Sequence, residues 1–219
     1  MRSNVNQPDS AMMFSENADN LATVSCKRMF ILLLVLMLAA CGTTSKVATF
    51  DTDDIVISEE FGIDTYLSDK FKQAVIHINN KKYDDAIELL VEVTSQTDKH
   101  SAPYINLAIA YSETGKIKDA ETILLKALTI NPLHPVTNNE LGLVYRKTGQ
   151  FAKAKTTYEQ VIKNYPQFLP ARKNLGILCD LFMSDLNCAI EQYEAYLNVR
   201  PDEKEVSIWL ADLKKRAGQ

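Results

Sequence analysis

The stretch Ser101-Ala-Pro-Tyr-Ile-Asn-Leu-Ala-Ile-Ala-Tyr-Ser-Glu-Thr-Gly-Lys-Ile-Lys-Asp-Ala-Glu-Thr-Ile-Leu-Leu-Lys-Ala-Leu-Thr-Ile-Asn-Pro-Leu-His134 decides the fold. Counting from Ser101, Tyr104, Leu107, Ala108, Tyr111, Gly115, Ile117, Ala120, Leu124, Ala127 and Pro132 take positions 4, 7, 8, 11, 15, 17, 20, 24, 27 and 32. The next 34 residues, Pro135 to Phe168, put Leu141, Gly142, Tyr145, Gly149, Phe151, Ala154, Tyr158 and Pro166 at the same offsets. Small residues at positions 8 and 20 let two helices of one unit approach closely, and large ones at 4, 7, 11, 17 and 24 fill the space between units. Gly115 and Gly149 fit the left-handed end of a first helix. Pro132 and Pro166 fall where a second helix must stop.

This pattern resembles the tetratricopeptide repeat at every signature position, and 34 is that family's period. An ordinary helical bundle would need no fixed period. Two flanking units are degenerate. One runs from about 67 to 100, with Ala74, Tyr83, Ala86 and Leu90 in register and Lys70 at position 4. The other runs from about 169 to 203. It needs one inserted residue near Met183–Ser184 to align Ala189 and Tyr193. Val206, Trp209, Leu210 and Leu213 then recur at helical spacing, which predicts a capping helix over 204–217. The expectation is all-α, a solenoid of about four helix–turn–helix units plus a C-terminal cap. It comprises units 67–100, 101–134, 135–168 and 169–203 within a domain at 65–219.

The front of the chain reads as an address. Lys27 and Arg28 precede an apolar run, Met29 to Ala40, and then Cys41-Gly42. A spanning helix needs about 20 apolar residues, so this shorter run reads as a secretory signal; a short uncleaved anchor is the alternative. Leu38-Ala-Ala-Cys41 resembles a bacterial lipobox. The resemblance implies cleavage before Cys41, lipid attachment at Cys41 and an acylated new amino end. By resemblance to enterobacterial lipoproteins, Gly42 in place of an aspartate implies the inner leaflet of the outer membrane, facing the periplasm. Residues 1–40 are thus a leader and signal peptide, with the true start expected nearer Val24 or Met29. Residues 41–64 are expected to be the lipidated N-terminus and a flexible tether, carrying Asp51-Thr-Asp-Asp and the apolar Ile55-Val-Ile57.

The formal charge of the chain is −4, and its lysines and arginines form no stripe, which argues against nucleic acid. Of four cysteines, Cys26 falls in the leader and Cys41 in the lipobox. Cys179 and Cys188 lie near positions 11 and 20 of the last unit, on facing helix surfaces. An oxidising compartment allows a disulfide there; two buried thiols are the other reading. His77, His100 and His134 belong to different units, and none has metal-ligand spacing. No nucleophile elbow, phosphate loop or zinc pattern occurs. Asp84-Asp85 suits the first turn of a second helix. We therefore expect no enzyme, no cofactor, no metal and no small-molecule substrate.

The family resemblance implies that the first helix of each unit lines a concave face through positions 2, 5, 6, 9, 12 and 13. Position 9 supplies Val75, Ile109, Leu143 and Ile177. Position 5 supplies Phe71, Ile105, Asn139 and Lys173, and position 6 supplies Asn106, Glu140 and Asn174. An apolar stripe flanked by amides suits an extended or helical peptide. Burial between neighbouring helices, or occupation by Ile55-Val-Ile57, are the competing readings. The carboxylate-clamp type is not matched, since only Lys173 and Asn174 look clamp-like. The stretches Asn174–Leu181 and Asp185–Tyr193 resemble small repeat proteins described as accessory components of TonB-type energy-transducing systems. Other tetratricopeptide lipoproteins serve as pilotins in type IV pilus assembly or as adaptors for peptidoglycan hydrolases. All imply a scaffold that holds a protein or peptide partner in an envelope complex. The rivals are a cell-wall enzyme or enzyme subunit, and an assembly in which repeats stack between chains.

Overall fold

The computed structural model describes residues 64–219, and these form nine α-helices and no strand. They are α1 (Thr65–Asn79), α2 (Tyr83–Gln96), α3 (Ser101–Glu113), α4 (Ile117–Ile130), α5 (Pro135–Lys147), α6 (Phe151–Asn164), α7 (Leu169–Leu181), α8 (Leu186–Leu197) and α9 (Lys204–Arg216). Each helix packs on its neighbours in sequence. The first helices of successive units, α1, α3, α5 and α7, also touch side by side. The result is a tetratricopeptide-type solenoid of four helical pairs closed by α9. Cys41, the leader and the tether lie outside the described residues.

The turn inside each unit is built from one hydrogen-bonding scheme. The N–H two residues past the helix cap reaches back to close the last turn: Lys82 to His77 O, Lys116 to Tyr111 O and Gln150 to Tyr145 O, each at 2.8 Å. The residue before it must be left-handed. Glycine fills that place at Gly115 (φ 78°) and Gly149 (φ 75°), but the first unit uses Lys81 at φ 59°. The fourth unit stretches the scheme by one residue. There Asp185 N reaches Cys179 O at 2.9 Å, and Ser184 takes the left-handed conformation at φ 54°. That is the inserted residue the register required.

The contact between paired helices rests on an alanine column and a size exchange. Ala86, Ala120, Ala154 and Ala189, at position 20, are fully buried in all four units. Positions 8 and 24 compensate each other. Units one and two pair Ala74 with Leu90 and Ala108 with Leu124. Units three and four pair Gly142 with Tyr158 and Gly176 with Tyr193, whose rings are buried. A methyl group at residue 142 would lie 2.5 Å from the Tyr158 ring, and one at residue 176 would lie 2.3 Å from the Tyr193 ring. The glycines are therefore the sockets of the tyrosines, a more specific role than general closeness of the helices.

Helix α9 covers the end of the stack. Val206 and Leu213 are buried, and Trp209 and Leu210 pack at the edge of the same cluster. The Trp209 ring stands 5.7 Å from that of Tyr193. Burying such a face removes the open end that the last repeat would otherwise expose.

Candidate functional site

The face formed by α1, α3, α5 and α7 carries the residues singled out from the sequence, and the structure divides them into two groups. Val75, Ile109, Leu143 and Ile177 are all partly exposed, one per unit at 34-residue spacing. Phe71, Ile105, Asn106 and Asn139 are buried, which corrects their assignment to an open lining. Phe71 joins the cluster of Ala102 and Leu107, and Ile105 joins that of Tyr104 and Val136, so both spend their apolar surface on packing between units.

Polar groups next to this apolar column are linked across two units. Asn174 Nδ2 donates to Asn139 Oδ1 at 3.0 Å, and Asn139 Nδ2 donates to Glu140 Oε1 at 3.1 Å. Glu140 is buried, and desolvation pushes its carboxyl up to about 7, against the opposing effects of the Asn139 bond and of Lys147. A carboxylate oxygen pair can accept about four hydrogen bonds. Glu140 makes no ion pair within 4 Å among the described residues. Arg146, at position 12, leaves Nη1 buried without a hydrogen-bond partner among those residues. The sequence offered one signal for this network, an adjacent Asn-Glu on the expected concave face, but nothing in it gave the burial.

Lys173 is not a clamp residue. Its ammonium pairs with Glu205 at 3.2 Å and lies 5.4 Å from the centroid of Trp209, so it docks α9 onto α7. His134 has a capping role. It is the N-cap of α5, where Nδ1 accepts the Thr137 N–H at 3.4 Å, and burial pulls its imidazole below the usual range. This cap requires the neutral ring, since a protonated Nδ1 cannot accept.

Cys179 and Cys188 are joined by a disulfide that ties α7 to α8, with their Cα atoms 5.9 Å apart. The Asp185 carboxylate lies close to both sulfurs, and these three are the one group among the described residues with metal-ligand proximity. The disulfide removes both thiolates from that set. None of the described helices is long and apolar enough to cross a membrane.

Tetratricopeptide-repeat family models match residues 77–135 and 140–167. A comparison with curated proteins finds no match. Solved structures of similar fold include MamA residues 41–end from Desulfovibrio magneticus RS-1, at TM-score 0.62 and 21% identity, covering 71% of this chain and 87% of that one. A thermophilic tetratricopeptide protein of Thermus thermophilus, TTC0263, aligns at 0.61 and 22%, covering 67% and 80%. A tetratricopeptide repeat protein from Parabacteroides merdae aligns at 0.59 and 18%, covering 69% and 59%. At these identities the likeness is one of fold.

Proposed function

We propose that the chain is a non-catalytic scaffold that holds a protein segment against the α1/α3/α5/α7 face, as part of an envelope complex. Tetratricopeptide repeats are a protein-binding architecture, and the observation that carries the reading here is the column Val75, Ile109, Leu143 and Ile177. It is exposed enough to accept apolar side chains, and it runs beside the Asn174–Asn139–Glu140 network. The apolar column would supply affinity, and Asn174, the partly exposed end of the network, would fix register on a peptide backbone. The lipobox at Cys41 extends the proposal to a lipid-anchored protein of the outer membrane, facing the periplasm, where a transport, pilus or wall-synthesis complex would supply the partner. An accessory role in a TonB-type system is the finer assignment we favour, on the sequence resemblance of 174–193.

The test is photo-crosslinking from position 109 or 143 in intact cells, with the captured peptide identified by mass. A single protein captured at both positions, and lost in Ile109→Glu, is the expected result. Capture that is indifferent to Ile109→Glu would refute the groove. Turnover of peptidoglycan by the purified chain would refute the non-catalytic reading. Loss of fatty acid in Cys41→Ser, read by intact mass, tests the anchor.

A further inference from the structure

The fourth unit departs from the other three at three repeat positions together. Position 11 holds His77, Tyr111 and Tyr145 in units one to three; the residue before the second helix is Lys82, Lys116 and Gln150; position 19 holds Asp85, Asp119 and Lys153. With its inserted residue, the fourth unit places Cys179, Asp185 and Cys188 there. Positions 11 and 19 also meet in other units. His77 Nδ1 lies 3.7 Å from the Asp85 carboxylate, and Lys153 Nζ lies 5.3 Å from the Tyr145 ring centroid. In the fourth unit this ordinary side-chain contact becomes a meeting of two sulfurs and a carboxylate, with one ligand atom of each all within 4.8 Å of one another.

The carboxylate is held in place independently of the sulfurs. Asp185 Oδ1 accepts the Cys188 N–H at 3.1 Å, and Oδ2 lies 3.5 Å from Lys155 Nζ. The N-caps of α2, α4 and α6 make no such side-chain bond. Hydrogen-bonded supports of this kind orient the ligands of metal sites. Cys179 is buried, while Cys188 is half-buried and lines a cavity of about 510 Å³ together with Asp185, Lys155 and Glu191. An ion and a water therefore have a way in.

We propose that, once the disulfide is reduced, Cys179, Asp185 and Cys188 bind one zinc ion, with water from the cavity in the fourth position. Two thiolates and a carboxylate are a zinc donor set, whereas calcium and magnesium take oxygen ligands. Tetrahedral bonds of about 2.3 Å set two sulfurs roughly 3.8 Å apart. Rotation about the two Cα–Cβ bonds reaches that separation across Cα atoms 5.9 Å apart. A dithiol reductant supplies two electrons and two protons to the bridge and leaves as its own disulfide; Zn²⁺ then displaces the two thiol protons. Three anionic ligands on Zn²⁺ leave one negative charge, which Lys155 faces. The oxidised chain thus joins α7 to α8 by a covalent bridge and the reduced chain by a metal bridge. The irregular turn is loose only when reduced and metal-free. Helix α7 also carries Asn174 and Ile177, so this state bears on one end of the proposed binding face, although the site itself stands without that reading.

The test uses the full chain with Cys26→Ser and Cys41→Ser, which leaves Cys179 and Cys188 as its only cysteines. After anaerobic reduction with a phosphine, cobalt(II) is the spectroscopic probe. A thiolate-to-cobalt charge-transfer band and the visible bands of tetrahedral cobalt are expected, saturating at one ion per chain, and zinc should bleach them. Native mass spectrometry should show one zinc on the reduced chain and none on the oxidised chain. Asp185→Asn keeps a good helix cap but removes the anionic ligand, and should weaken zinc at least about tenfold. Cys188→Ser should abolish the cobalt bands. Circular dichroism checks the helix content of both variants. Zinc should also raise the thermal midpoint of the reduced chain and leave that of the oxidised chain unchanged. A reduced chain that forms no cobalt bands overturns the proposal. So does equal zinc affinity in the oxidised chain, in Cys188→Ser or in Asp185→Asn. Weak uptake of several ions per chain would mark an adventitious ion only, and overturns it equally.

Discussion

Gly142 shows how narrowly one residue is specified. Its missing side chain is the space that the Tyr158 ring fills, since a methyl group placed there would come within 2.5 Å of that ring. Gly142→Ala should cost about 1–3 kcal/mol, the usual range for overpacking. Tyr158→Leu alone should also destabilise, by leaving a void. The double variant recreates the Ala108–Leu124 pair, so a double-mutant cycle in urea should show coupling that recovers most of both losses. Simple additivity would show that the two positions do not compensate. Glu140 supplies the pH-sensitive counterpart. Its carboxyl is raised from 4.5 to about 7 in the folded chain, so between those values the native state holds the extra proton. Stability from this group is intact below 4.5, falls as pH rises through the window, and is lowest above 7. Glu140→Gln should remove that slope and stabilise the chain at pH 8 by up to about 3 kcal/mol, read by denaturant midpoints. His134 acts with the opposite sign, since its lowered value makes stability fall as pH drops below 6.5. The variant should therefore keep a decline on the acid side alone; a slope unchanged from wild type would rule out Glu140 as its source.

At the scale of elements, the within-unit turns show what a sequence can and cannot declare. Gly115 and Gly149 announce their turns because a left-handed residue is needed there, and the same need is met without a glycine at Lys81 and Ser184. Those two turns were legible only through the 34-residue register. Position 9 and position 5 have equal standing in the repeat, yet Ile109 stays partly exposed and Ile105 is buried. Periodicity places both on the same helix and does not say how closely the neighbouring unit covers each. The disulfide was equally open, because facing positions fix proximity and not redox state. It closes a loop of sequence separation 9 around the least regular turn, and by loop-closure entropy it contributes about 2–3 kcal/mol. Cys188→Ala should lower stability by about that amount and raise amide exchange first in α7 and α8. Exchange that rises evenly across all units would show that the bridge does not act locally.

At the largest scale, residues 64–219 form a one-dimensional stack, in which each helix meets its neighbours in sequence and, along the first-helix row, the next unit. Stability in such a stack is a sum over units and interfaces, so the ends govern where opening begins. The C-terminal end is held by α9 through Val206 and Leu213, through Trp209 against Tyr193, and through the Lys173–Glu205 and Arg216–Asp180 pairs. Those ion pairs are partly exposed and contribute little beside the apolar burial. Trp209→Ala should therefore destabilise α7 and α8 far more than Glu205→Ala, by about 2–4 kcal/mol against less than about 1. Hydrogen exchange should show protection lost from α9 and α8 inward, with α3 and α4 almost unchanged. Loss of protection in all helices together would mean that the stack melts as one unit and that α9 closes a single cooperative core, not the last link of a chain of interfaces.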